Sequence, residues 1–159
     1  MRRSRVLALA LTVVSAALLL SGCTKPNPGV SVWAGTKSLH LQAQCWSADS
    51  TVALDINACS DVLTAADKAK DIPTLTLRPG STMGISVDVK VAKNGWIAKL
   101  GSTTLIPTKI TTTYWRFTYP QLAGLPAKNQ LVILAVGPKT NSYRGVWVFN
   151  TVETGANGG

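Results

Sequence analysis

The stretch Gly84-Ile85-Ser86-Val87-Asp88-Val89-Lys90-Val91 decides the fold class. Ile85, Val87, Val89 and Val91 alternate with Ser86, Asp88 and Lys90, so a β-strand here presents one apolar and one wet face. Asn94-Gly95 follows, and both residues tolerate positive φ, which predicts a hairpin turn. Downstream, residues 96–100, 105–106 and 110–119 carry further strand patterns, and in the last of these Trp115, Phe117 and Tyr119 share a face. Residues 131–136 and 145–149 are continuously apolar, as expected of central strands covered on both sides. Upstream, Leu75 and Leu77 alternate with threonines before a Pro79-Gly80 turn. Two shorter runs, Val30-Ser31-Val32-Trp33 and Ser38-Leu39-His40-Leu41-Gln42, flank Ala34-Gly35-Thr36 and read as a hairpin.

About eight short strands with Gly and Pro between them predict an all-β fold, an antiparallel immunoglobulin-like β-sandwich, with a small barrel as the alternative. Strands do not alternate with helices, which argues against a parallel α/β sheet. The 159 residues suffice for one ordinary domain and not for two. Residues 45–71 differ in character: Asp49, Asp55, Asp61, Asp67 and Asp71 fall here, and β-branched residues thin out. Ser60 or Asp61 is placed to cap a short helix reaching Asp67 or Lys70, with Val62, Leu63 and Ala66 facing inward. The expected domain spans residues 30–153, and the small-residue tail 154–159 is expected to fray.

The amino-terminal end has a separate logic. Arg2, Arg3 and Arg5 precede fifteen mostly aliphatic residues, 6–20, and then Leu20-Ser21-Gly22-Cys23. A basic start, a short apolar run and small residues before a cut site make a secretory signal over residues 1–22. Fifteen helical residues span about 22 Å, short of the roughly 30 Å hydrocarbon core, so a permanent transmembrane helix is the poorer reading. Leu20-Ser21-Gly22-Cys23 resembles the lipobox of bacterial lipoproteins. That resemblance implies a diacylglyceryl group on the Cys23 sulfur and cleavage just before it, which puts the chain on the outer face of the plasma membrane. An ordinary secretory signal with a chance cysteine is the alternative. Residues 23–29 then form a lipid-anchored linker, stiffened by Pro26 and Pro28. With Cys23 lipidated, Cys45 and Cys59 remain, fourteen positions apart, and two thiols in an exported chain are expected to pair. Two free buried thiols are the competing reading.

The order of several short motifs resembles a family of small actinobacterial lipoproteins. These are Val30-Ser31-Val32-Trp33-Ala34-Gly35, Ser38 and His40 leading to Cys45-Trp46, Cys59, Gly84 through Asp88, Val91-Ala92, Gly95-Trp96 and Gly145-Val146-Trp147-Val148-Phe149. The likeness covers most of residues 30–150. It implies an envelope-attached, single-domain β protein, and it implies no reaction.

Composition narrows the chemistry. Sixteen Lys and Arg against seven Asp and Glu give +9, or +6 once the three signal arginines are removed. One histidine and three cysteines leave little for a zinc cluster or a nucleophilic triad. His40 has no recognisable nucleophile or orienting carboxylate in its motif context, so it reads first as an ordinary strand histidine and second as a ligand contact. Trp46, beside Cys45, reads as disulfide packing or as a ligand contact. The carboxylates of residues 49–71 lack calcium-loop spacing, and no metal or cofactor is expected. Residues 45–77 sum to −3 and residues 78–144 to +8. Such asymmetry either decorates exposed strand faces or steers the domain toward anionic headgroups or wall polymers. No nucleic-acid motif is present. The sequence therefore suggests a non-catalytic binding or structural module of the envelope, partnered by an envelope protein or an anionic wall polymer. The rivals are a cell-wall hydrolase or transferase using His40, and a carrier of a hydrophobic ligand.

Overall fold

The computed structural model describes residues 25–55, 57, 59, 72–119 and 128–154. Cys23, the signal segment, the whole expected helix over 60–70 and residues 155–159 of the tail lie outside the described residues.

Ten strands are seen among the described residues. They are β1 (Gly29–Ala34), β2 (Lys37–Gln42), β3 (Cys45–Trp46), β4 (Thr74–Leu77), β5 (Thr82–Val87), β6 (Trp96–Leu100), β7 (Thr103–Thr104), β8 (Tyr114–Thr118), β9 (Lys128–Val136) and β10 (Tyr143–Glu153). The first sheet runs β2-β1-β5-β8, and the second runs β3-β10-β9-β6-β7. All pairings are antiparallel except β4, which lies parallel to β10 and pairs Thr74–Leu77 with Asn150–Glu153. The eleven residues of β10 are long enough to hold β3 at one end and β4 at the other.

The sheets face each other across one apolar core. Val30, Val32, Met83 and Ile85 of the first sheet meet Trp96, Leu131, Ile133, Trp147 and Phe149 of the second, all fully buried. The fold is thus an all-β sandwich, as the alternation predicts. A second apolar cluster covers the outer face of the second sheet. Val146, Val148 and Leu134 pack there against Cys59 and Ile72, with Cys45 and Leu54 at the margin. This cover explains why residues 131–136 and 145–149 read as apolar without alternation: both of their faces are dry.

The disulfide Cys45–Cys59 sits in this outer cluster, its Cα atoms 6.0 Å apart. It pins the acidic excursion to the second sheet and does not bridge the two sheets as in antibody domains. A helical turn opens earlier than Ser60. The Asp55 carboxylate accepts the Asn57 N–H at 2.9 Å, and the Cys59 N–H donates to the Asp55 carbonyl at 3.2 Å.

The alternating stretch is a strand only as far as Val87. Residues Val89–Ala92 form a one-turn helix, α1. Strict alternation puts Val89 and Val91 on one face, yet Val89 is 74% exposed and Val91 is buried. The cause is the partner strand. β1 begins at Gly29 behind Pro28, which has no N–H to continue the ladder. Asp88 closes the pairing with its side chain: Gly29 N–H donates to Asp88 Oδ2 at 2.7 Å, and Asp88 N–H donates to the Gly29 carbonyl at 3.1 Å. The Asp88 carbonyl then accepts the N–H groups of Val91 and Ala92. Gly95, at φ 91°, therefore follows a helical turn and leads into β6 of the other sheet, so Asn94-Gly95 is not a hairpin turn. The expected strand at 105–106 is also absent; β7 is Thr103–Thr104. The first hairpin forms as expected, with a two-residue turn and Gly35 at φ 58°.

Tyr119, past the end of β8, is buried and donates to Glu153 Oε2 of β10 at 3.1 Å. Burial, and then the neighbouring Glu153 carboxylate, push the phenol up to about 12 from 10.0. A raised acid favours its protonated form in the folded chain. This contribution is intact below pH 10 and is lost as the pH climbs toward 12. Ultraviolet titration should show one phenol ionising late, and Glu153→Gln should bring that step down.

Candidate functional site

The two ligand-contact candidates are not brought together. His40 lies on β2, on the outer face of the first sheet. It stands directly across from Ser31, whose Oγ is 2.9 Å from His40 Nδ1. Its ring lies over Gly29, where a Cβ would come within 2.4 Å of Cε1. Among the described residues no carboxylate hydrogen-bonds to this ring, so it lacks the third member that orients a catalytic histidine. The same face carries Trp33, whose indole lies across Gly84, and the exposed Tyr114 and Arg116 of β8. The space between the sheets, where a hydrophobic cargo would sit, is occupied by Trp96, Trp147, Phe149 and Met83.

Trp46 belongs to a different place. β3 brings it beside Gly145, which leaves room for the indole because any Cβ there would fall 2.5 Å from Trp46 Cε3. Trp147 packs against it with ring centroids 6.0 Å apart, and the Arg144 guanidinium lies 4.4 Å above its ring centre. Arg144 is only 7% exposed. Its Nη2 donates to the carbonyls of Ser47 at 3.1 Å and Ala48 at 3.5 Å, while its buried Nε–H has no acceptor among the described residues. The guanidinium is thus held by an aromatic face and two carbonyls, and its charge helps to lower the Asp49 carboxyl.

Trp46 and Arg144 line an open cleft of about 800 Å³. Four lysines share its walls: Lys25 of the linker, Lys90 and Lys93 of α1 and the segment after it, and Lys109. The fold dictates this meeting. The Asp88–Gly29 bonds bring the linker beside α1. Lys109 is held by Ile110, whose backbone exchanges two 2.9 Å hydrogen bonds with Trp96, and its stem lies over Gly95. Arg144 arrives on β10. Among the described residues no Asp or Glu lines the cleft, and the two carboxylates near its edge, Asp49 and Asp88, act on Arg144 and Lys90 from outside the lining. Asp88 accepts from Gly29, and Asp49 accepts from Thr51 N–H and Oγ1 at 2.8 and 2.7 Å. The Thr51 bonds hold the Asp49 carboxyl below its usual value. Lys90 is pushed below the ordinary lysine value, first by lost hydration and then by the Lys25 ammonium beside it. Two ammoniums crowded in one cleft are relieved by an anion placed between them.

Five cations and one indole thus line one cleft, which among the described residues has no lining carboxylate. Sequence reasoning found Trp46 but not its companions, because the cations come from four separate segments. No protein-family model and no curated protein matches this chain.

Proposed function

We propose that this chain is a non-catalytic binding module of the cell envelope, held to the outer face of the plasma membrane through a lipidated Cys23. Its working surface is the basic cleft around Trp46 and Arg144. The membership suggested by the motif order, in a family of small actinobacterial lipoproteins, is part of the same reading. The observation that carries it is the convergence of Lys25, Lys90, Lys93, Lys109 and Arg144 on one cleft that no carboxylate lines among the described residues. The site is built for polyanion recognition in the envelope. The exposed His40–Ser31 pair, with no orienting carboxylate, gives less support to hydrolysis or transfer.

Binding of inorganic polyphosphate tests the reading. Reversing Lys90, Lys93 and Lys109 to Glu together should weaken binding at least about tenfold, because each basic contact at an anionic surface is worth about 1 kcal/mol. Binding by the unmodified chain should also weaken steeply with salt. Reversing the exposed Lys37, Lys128 and Lys139 should cost much less, and His40→Ala should cost nothing. Equal losses from the two triple reversals would show that net charge, not the cleft, does the binding.

A further inference from the structure

We infer that the cleft is a receptor for the phosphate headgroups of anionic phospholipids, and that this end of the sandwich rests on the membrane that carries the anchor. The inference builds on the anion-binding reading above and adds the source of the anion.

Chain length is the first argument. Two peptide steps separate Cys23 from Lys25, and extended chain advances at most ~3.6 Å per residue. Whatever path the linker takes, the Lys25 Cα therefore lies within about 7 Å of the Cys23 Cα. Lys25, Pro26 and Asn27 are themselves cleft walls. An acylated Cys23 sits at the boundary of hydrocarbon and headgroups, so the Lys25 edge of the cleft stays within reach of the headgroup layer.

The composition of the rim is the second argument. Val89 of α1 is 74% exposed and adjoins Lys90, a wall residue. Exposed aliphatic side chains beside lysines are the pairing that membrane-surface segments use: the aliphatic group enters the acyl boundary while the ammoniums stay with phosphates.

Arg144 is the third argument. It is more than nine-tenths buried, lines the cleft and retains an Nε–H without an acceptor among the described residues. Its charge is a fixed part of the cleft wall and not a mobile surface decoration. A monoanionic phosphodiester headgroup fits this field.

The test uses the mature acylated chain in vesicles and reads lysine acetylation by mass spectrometry. In phosphatidylglycerol–phosphatidylcholine vesicles, Lys25, Lys90, Lys93 and Lys109 should react at least about fivefold more slowly than in pure phosphatidylcholine, the effect of about 1 kcal/mol per lysine at an anionic surface. Lys37, Lys128 and Lys139 should change little. The anchor is present in both vesicles, so shielding by proximity alone cancels. Equal rates in the two vesicles would overturn the inference. Protection by polyphosphate added to phosphatidylcholine vesicles, with none from phosphatidylglycerol, would overturn the lipid source and leave anion binding standing. Protection by neither would overturn both. Val89→Ser, a change at an exposed site, should reduce the phosphatidylglycerol effect without reducing polyphosphate binding. An unchanged phosphatidylglycerol effect in that variant would remove the membrane-facing orientation.

Discussion

Trp147→Ala is expected to lower the unfolding free energy by about 3–5 kcal/mol, a large share of the roughly 5–15 kcal/mol that holds a domain together. The indole is fully buried at the centre of β10, in the wall between the two sheets. Its removal opens a cavity bounded by strands already fixed by β9 on one side and by β3 and β4 on the other, so collapse into the space is restricted. It also removes the bond from Trp147 Nε1 to the Pro28 carbonyl, 3.2 Å long and buried. That carbonyl keeps the Ala43 N–H at 2.9 Å, so the loss is one hydrogen bond and not an orphaned acceptor. The linker end becomes less firmly held, which couples the core to the cleft. Trp115→Ala provides the contrast. Trp115 is half-buried on edge strand β8, stacked on Phe117 with centroids 4.2 Å apart, and should cost only about 1 kcal/mol. Urea unfolding should show a shifted midpoint with an unchanged slope for both variants. Equal losses would mean that the core is not centred on β10.

Burial on two faces is legible in sequence because it abolishes alternation, and this is why β9 and β10 were evident as central strands. The first hairpin was legible because Gly35 supplies the positive φ that a two-residue turn requires. Strand direction was not: Leu75 and Leu77 are buried and their threonine neighbours less so, but that pattern is the same whether β4 runs parallel or antiparallel to β10. The alternation of 85–91 misled for a different reason. A side-chain pattern continues past Val87, but the hydrogen-bonding partner stops at Gly29, and backbone pairing decides.

That one misreading hid the site. On a strand, Lys90 and Lys93 are an odd number of positions apart and point to opposite faces. On a helical turn they are neighbours, which is how they come to line one cleft. Lys25, Lys109 and Arg144 join them only through tertiary pairing, and no spacing in the chain announces that. The charge asymmetry of residues 78–144 was visible as a sum; its focus was not. The disulfide was legible because two cysteines remain once Cys23 is set aside as the expected lipidation site.

Cys23→Ala should remove lipid from the protein altogether. Acyl chains contribute about 0.8 kcal/mol per buried CH₂, and two long chains hold a protein where a single myristoyl chain gives only marginal attachment. Metabolic labelling with palmitate should disappear, and intact mass spectrometry should find an amino terminus at Cys23 with diacylglyceryl mass only in the unmodified protein. Labelling that persists, or an unmodified terminus elsewhere, would refute the anchor. The substitution should leave folding alone, because Cys45 and Cys59 are bonded to each other, and the variant should titrate no free thiol. Its effect on the cleft follows from concentration. On the proposed reading an anchor at Cys23 would keep headgroups at Lys25 at a high effective concentration, and without it the cleft would have to capture them from solution. Protection of Lys90 and Lys93 by phosphatidylglycerol vesicles should then require far more lipid in the variant, while polyphosphate, which owes nothing to the anchor, should bind both forms equally.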